Sequence, residues 1–378
     1  MIAAGQQYYL FEGDNRALMS NMGDDTIDAV VCDPPYELTS IVKRFGGPNA
    51  APPQHGTDGA YARAARGFMS HRWDGTGISF DPALWAEVLR VLKPGGHLVA
   101  FSGTRTYHRM ACAIEDAGFE IRDMLEWLYG SGFPKGGLDD EGRGSALKPA
   151  HEPMCLARKS FKGSAAGCVE AHGTGLLNID ACRIPGEAVK TFERCEGDRS
   201  REQYRTGTTV GPAVLIDRGR FPANVCHDGS PEVIAQFPAE AGAAAPVHKR
   251  GGDKFRNTYG AFSGNVDEAG RTFQGDSGSA ARFFYCAKAS RRDRNEGVDG
   301  LAGNIHPTVK PTELMRWLVR LVCPPGGVVF DPFTGSGSTG KAALIEGRRF
   351  IGAEMTAEYI PIARARIEYA ARLTAGSN

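Results

Sequence analysis

No stretch of the 378-residue sequence approaches the roughly 18 uninterrupted apolar residues that a membrane-spanning helix needs. The opening MIAAGQQYYLFEGDN lacks the charged-then-apolar plan of a secretory signal. The nine cysteines stand singly, with no Cys-x-x-Cys pair and no metal-ligand spacing, which argues against a disulfide framework and a resident metal. No repeat of fixed period and no spaced PD…(D/E)xK nuclease cluster stands out. Net charge is zero, from 44 basic and 44 acidic residues, which excludes a uniformly basic coat but leaves room for a local basic groove. These absences together describe a soluble, reduced, cytoplasmic protein without metal.

What is present is an α/β pattern. The 42% hydrophobic content suffices for a large core, and 49 Gly with 22 Pro demand much loop. The length predicts one large α/β domain carrying a substantial insertion, or two domains. Residues 1–130 alternate strand and helix signals: YYLFEGD (8–14), the buried β-branched run IDAVVCDPPY (27–36), and DPALWAEVLRVLKPGG (81–96), with Leu84, Val88, Val91 and Leu92 on one helical face and a stop at Pro-Gly-Gly. From 131 to 281 the periodicity dissolves. RFFYCAKAS (282–290) reads as a strand returning to the core, RRDRNEGVDGLAGN (291–304) as a polar linker, and the remainder is again α/β. Two α/β pieces around an irregular middle predict one parallel sheet built from both ends of the chain.

Two short stretches carry chemistry. GSGSTGK, Gly335–Lys341, falls one hydroxyl short of a P-loop, because Ala342 stands where the Mg²⁺-binding Ser or Thr belongs. Glu354 follows Gly335 by 19 residues at the next strand end, the spacing at which a carboxylate accepts from ribose hydroxyls. The turn therefore suits a nucleoside cofactor better than a triphosphate, and Lys341 reads as an ordinary helical residue. The second stretch is Asp33-Pro34-Pro35-Tyr36. Two consecutive prolines stiffen the chain and remove two N–H donors, leaving a carboxylate, carbonyl acceptors and an aromatic face. Asp33 and the Pro34 carbonyl can each accept one hydrogen of an exocyclic amino group, and Tyr36 can stack on the base for about 1–3 kcal/mol.

Together these motifs resemble the β group of the DNA amino-methyltransferases, which transfer methyl from S-adenosyl-L-methionine to adenine N6 or cytosine N4. Asp33, Pro34, Pro35 and Tyr36 look like the catalytic tetrapeptide, DPFTGSG (331–337) like the cofactor loop, and NIHPTVKP (304–311) like the segment closing over the methionine end. The resemblance implies a Rossmann-like methyltransferase sheet in circularly permuted motif order. Its catalytic half would be 1–130, an inserted target-recognition region 131–281 and a cofactor-binding half 282–378. Carried over residue by residue, Asp331, Pro332, Phe333, Thr334, Gly335, Ser336 and Gly337 would form the cofactor loop. Glu354 would take the ribose, and Thr308 and Lys310 would sit near the methionine moiety. Asp14 would lie near the cofactor adenine, or simply cap the helix that follows.

The implied substrate is double-stranded DNA with the target base turned out of the stack. Arg199, Arg201, Arg205, Arg218, Arg220, Lys249, Arg250, Lys254 and Arg256 are either contacts to phosphate and guanine or solvated surface cations. Trp73, in the loop 37–79, is a lid residue or a core residue. Aspartate at the first motif position favours adenine N6. Cytosine N4 is the alternative within the class, and a catalytically silent DNA-binding regulator is the alternative outside it. The β group pairs through its sheet domain, which implies a homodimer.

Overall fold

The run Ile27–Cys32 is fully buried along its length, as expected for a strand covered on both faces of a sheet. In a computed structural model, it lies near the middle of a nine-stranded sheet. The structure describes residues 5–38, 76–132, 137–144, 146–186, 189–192, 213–216, 219–241, 256–257, 260–261, 278–287, 290–299, 301 and 303–375.

In chain order the strands are β1 (Tyr8–Glu12), β2 (Ile27–Cys32), β3 (Leu92–Phe101), β4 (Glu120–Leu128), β5 (His151–Arg158), β6 (Val225–His227), β7 (Tyr285–Cys286), β8 (Val328–Asp331) and β9 (Arg349–Glu354). The helices used below are α1 (Asn15–Ser20), α2 (Pro82–Val91), α3 (Tyr107–Asp116), α4 (Ala165–His172), α5 (Arg291–Asn295), α6 (Thr312–Val322), α7 (Ser338–Ile345) and α8 (Ile360–Ala375).

Spatial order in the sheet is β1-β9-β8-β2-β3-β5-β4-β6-β7. The first five of these strands run parallel, as a Rossmann-like sheet requires. Strand β5 then inserts antiparallel to both β3 and β4, so the sheet is mixed rather than wholly parallel. The segment 151–158, read from the sequence as part of the irregular middle, is therefore a strand of the core sheet. Pro153 and the brevity of the apolar run Met154–Ala157 conceal it, although all four of those residues are buried.

Helix α2 begins with Asp81 accepting from the Ala83 N–H at 2.9 Å and with Pro82 in its first turn. It lays Leu84, Trp85, Val88 and Val91 into a core shared with Met19, Val30, Leu98 and Ile114. It ends at Val91 rather than at Pro94-Gly95-Gly96, which β3 absorbs with Gly95 in the left-handed region at φ +75. Of the described residues of the expected strand 282–290, only Tyr285–Cys286 pair, after a short 3₁₀ turn at Ala280–Phe283. Part of the expected polar linker folds as α5.

The chain divides into two compact units. One comprises Met1–Cys182, Ala223–Val233 and Cys286–Asn378; the other comprises Arg183–Pro222 and Ile234–Tyr285. Within the second, Val189–Phe192 pairs antiparallel with Ala213–Ile216, and Arg256–Asn257 with Gly260–Ala261. Among the described residues no helix is long and apolar enough to cross a membrane.

Candidate active site

The parallel register brings the two motifs together. Phe330 of β8 pairs with Val30 of β2, so the turns beginning at Asp331 and Asp33 open side by side at the carboxyl edge of adjacent strands. Glu354 closes the next strand over, level with Glu12 of β1. Open parallel sheets place ligands at this edge. A cavity of about 480 Å³ lies there, lined by every catalytic and cofactor candidate except Gly337.

The Asp33–Tyr36 turn is clamped from behind. Ser79 Oγ donates to the Pro35 carbonyl, and Trp85 Nε1 donates to the Ser79 carbonyl at 2.9 Å. On the other side Thr106 Oγ donates to the Tyr36 carbonyl at 2.7 Å. Gly103 leaves room for the Tyr36 ring, since a Cβ there would lie 3.2 Å from it. Glu37, immediately after the turn, takes the left-handed conformation at φ +54 and is fully buried.

Asp33 faces two different environments. Its Oδ2 accepts from Lys310 Nζ at 2.6 Å, whereas its Oδ1 is buried and has no hydrogen-bond partner among the described residues. Lys310 also donates to the Tyr36 hydroxyl at 3.1 Å and lies 3.2 Å from Glu152 Oε2. The Tyr36 hydroxyl donates to the same Glu152 oxygen at 2.9 Å. Burial of Lys310 opposes its charge, but the Asp33 and Glu152 carboxylates outweigh it and hold the ammonium above its ordinary pKa. Burial first, then the two carboxylates, push the Tyr36 phenol well up, so the ring stays neutral.

The glycine turn is held by its own backbone and its neighbours. Asp331 Oδ1 accepts from the Phe333 N–H at 2.9 Å, and Thr334 Oγ donates to the Asp331 carbonyl at 3.1 Å. Glu354 accepts the Gly335 N–H on Oε2 and the Thr356 N–H on Oε1, both at 2.7 Å. Buried Arg366 donates to the Ser336 carbonyl at 2.8 Å and to the hydroxyls of Ser336 and Ser338 at 3.1 and 3.0 Å. Gly335 and Gly337 both have positive φ, +51 and +78. A Cβ on Gly335 would come within 2.8 Å of His306 Nε2, and one on Gly337 within 2.9 Å of the Ala363 backbone. Gly335 thus serves the cavity and Gly337 serves helix packing against α8.

Lys341 is not an ordinary helical residue. It is wholly buried and paired with Asp293 and Glu296, each at 2.8 Å, so the lysine that makes this turn resemble a P-loop is spent on α5. Asp293 in turn accepts from the Thr312 N–H at 2.6 Å, fixing the start of α6. Asp14 caps α1 by accepting from the Arg16 N–H at 2.7 Å, and it also lines the cavity. Thr308 lines the cavity too, its carbonyl 2.8 Å from His306 Nδ1.

Sequence reasoning missed three residues. Asn15 lines the cavity and donates to the Pro332 carbonyl at 3.1 Å, with its buried Oδ1 unpartnered among the described residues. Its place directly after Asp14 was the available signal. His306, in the quoted segment 304–311, covers the glycine turn. Glu152 carried no local signal at all.

Of the basic candidates, Arg199, Arg201, Arg205, Arg218, Lys249, Arg250 and Lys254 lie outside the described residues, as does Trp73. Arg256 is described only as backbone, in a two-residue strand. Arg220 stacks its guanidinium 4.9 Å above the Phe283 ring within the second unit. Among the described residues no group of His, Cys, Asp or Glu could hold a metal ion.

The profile of a family of DNA methylases, covering N6 and N4 methyltransferases, matches residues 27–365, spanning both turns, the segment 304–311 and the second unit. The chain belongs to this DNA methylase family. Over 70 residues this family member is 41% identical to the DNA adenine methyltransferase YhdJ of Escherichia coli K12, a match covering 18% of this chain and 24% of that protein. Over 71 residues it is 46% identical to the type II methyltransferase M2.DpnII of Streptococcus pneumoniae, covering 19% and 26%. The matched segments thus span about a quarter of the length of these relatives. Its fold is similar to that of the PvuII cytosine-N4-specific DNA methyltransferase, with a TM-score of 0.50 over 98% of this chain and 93% of the other, at 14% identity.

Proposed function

We propose that this DNA methylase transfers a methyl group from S-adenosyl-L-methionine to the N6 of an adenine turned out of duplex DNA. The observation that carries the reading is Asp33 Oδ1, a buried carboxylate oxygen without a partner among the described residues beside a cavity lined by the glycine turn. A buried acceptor left unsatisfied costs free energy, and a ligand N–H relieves it.

The residues present fit the cofactor. Gly335 leaves open a space that a Cβ would close against His306, and Glu354 stands at the strand end where a ribose is held. Glu354, Asp14 and Asn15 would hold the nucleoside, with the loop Asp331–Ser336 beneath it. The cofactor, when bound, supplies an already activated methyl group, so the protein's task is position and orientation.

Lys310 fixes one oxygen of Asp33, which aims the other at the target amine. Asp33 Oδ1 and the Pro34 carbonyl accept its two hydrogens and turn the nitrogen lone pair out of the base plane. Tyr36, neutral and tethered at its hydroxyl, offers its ring for stacking. Asp33 or water takes the proton that the methylated amine releases. Aspartate at the first motif position, and the adenine specificity named for YhdJ, support adenine over cytosine. Target recognition falls to the second unit, whose sequence contains all nine basic candidates.

The test is mass spectrometry of nucleosides from methylation-free genomic DNA incubated with the protein and S-adenosyl-L-methionine. N6-methyladenine is expected. N4-methylcytosine would overturn the choice of base and leave the transfer reaction standing. No modified nucleoside, with the cofactor demonstrably bound, would overturn the activity.

A further inference from the structure

Glu152 belongs to β5, the antiparallel strand between β3 and β4, and does not line the cavity. One of its oxygens nevertheless accepts from the Tyr36 hydroxyl at 2.9 Å and lies 3.2 Å from Lys310 Nζ. Those are the two groups that hold, respectively, the stacking face and the Asp33 carboxylate. We infer that Glu152 is a positioning residue for methyl transfer, acting on the target amine through Tyr36 and Lys310. The inference rests on the proposed transfer to a base amine.

Two effects combine in this arrangement. The first is geometric. Thr106 holds the Tyr36 carbonyl, and the Glu152 bond holds the hydroxyl at the far end of the ring. Tethered at both ends, the ring presents one fixed plane to a base.

The second effect is electrostatic. Asp33, Glu152 and Lys310 together carry one net negative charge, all within direct contact of the same ammonium. During transfer the carbon–nitrogen bond forms as the carbon–sulfur bond breaks. The positive charge thus passes to the amine nitrogen, which then gives its proton to Asp33 or to water. Without Glu152 the remaining Asp33–Lys310 pair is neutral, and Asp33 becomes a poorer acceptor where positive charge develops. Lys310 alone would orient Asp33 and at the same time cancel its charge. Glu152 lets it orient without cancelling.

The experiment compares full-length wild type with Glu152→Gln and Glu152→Asp on methylation-free genomic DNA. It reads kcat, the KM for S-adenosyl-L-methionine, DNA affinity and the unfolding midpoint. Glu152→Gln is expected to lower kcat by about tenfold to a hundredfold, the scale of a misplaced reacting group, with KM and DNA affinity within about twofold of wild type. Glu152→Asp is expected to recover part of that loss. In a Tyr36→Phe background, which already lacks the hydroxyl tether, the cost of Glu152→Gln should shrink. A wild-type kcat in Glu152→Gln overturns the inference. So does a parallel fall of kcat, cofactor affinity and unfolding midpoint, which describes a structural strut. Wild-type protein that methylates no DNA would instead overturn the reading on which this one rests.

Discussion

The turn after β2 and the turn after β8 both close a buried strand with an Asp-Pro pair, on neighbouring strands of one sheet, yet their carboxylates end in different states. Asp331 reaches forward to the Phe333 N–H two residues on. Asp33 has no such option, because the residue two places on is Pro35, which has no N–H. Its carboxylate is turned to Lys310, from 277 residues away, and its other oxygen has no partner among the described residues. The difference between Pro35 and Phe333 thus separates a turn whose carboxylate bonds its own backbone from one whose carboxylate cannot. The first kind suits a cradle, where backbone shape matters; the second suits the proposed grip on a substrate amine.

The comparison breaks most sharply at Asp33 itself. Asp33→Ala should lower methyl transfer by on the order of 10³-fold, the cost of removing a preorganised polar contact at the reacting group, while DNA affinity holds. Assaying nucleoside methylation and DNA binding on one preparation checks both halves, and retained methylation would show that the empty oxygen is idle. A gentler change sharpens the contrast. Pro35→Ala returns an N–H to the position that Phe333 occupies in the other turn. Asp33 should then bond locally as Asp331 does, and kcat should fall about tenfold with little change in cofactor KM.

The smallest effect concerns Asp331. Burial pushes its carboxyl up to about 7, against the hydrogen bonds from Thr339 and the Phe333 N–H that favour the charged form. The folded value lies above the ordinary 3.8, so this group's stabilising contribution is fully present below about pH 3.8 and is lost as pH rises through about 7. Asp331→Asn keeps an acceptor for Phe333 without the titration. Its stability relative to wild type should therefore rise between pH 7 and 8, by on the order of a few tenths of a kcal/mol. Paired denaturant titrations at the two pH values read this, and no change would place the Asp331 carboxyl outside that pH range.

Legibility in the sequence followed the range of the interaction. The strand Ile27–Cys32, the capped start of α2 and the glycine turn are each set within a few residues, and each was readable. Strand β5 was not, because Met154–Ala157 acquires its meaning only from β3 and β4 on either side. Lys341 departs from its sequence pattern for a related reason. Its pattern is that of an exposed first-turn lysine, and its burial depends on carboxylates at 293 and 296 in a segment that reads as linker.

By itself the sequence determined the local chemistry: which turns lack N–H donors, which glycines can take positive φ, and which side chains can accept from an amine. Steric and covalent restrictions act between adjacent residues and need no partner. Only the tertiary structure decided which of those groups remain unsatisfied. Asp33 and Asp331 are near-identical as letters in their motifs. Beyond the difference between Pro35 and Phe333, the tertiary arrangement distinguishes them: it brings Lys310, from the segment before α6, to Asp33, and Glu152, from β5, to Lys310, across separations no local pattern records.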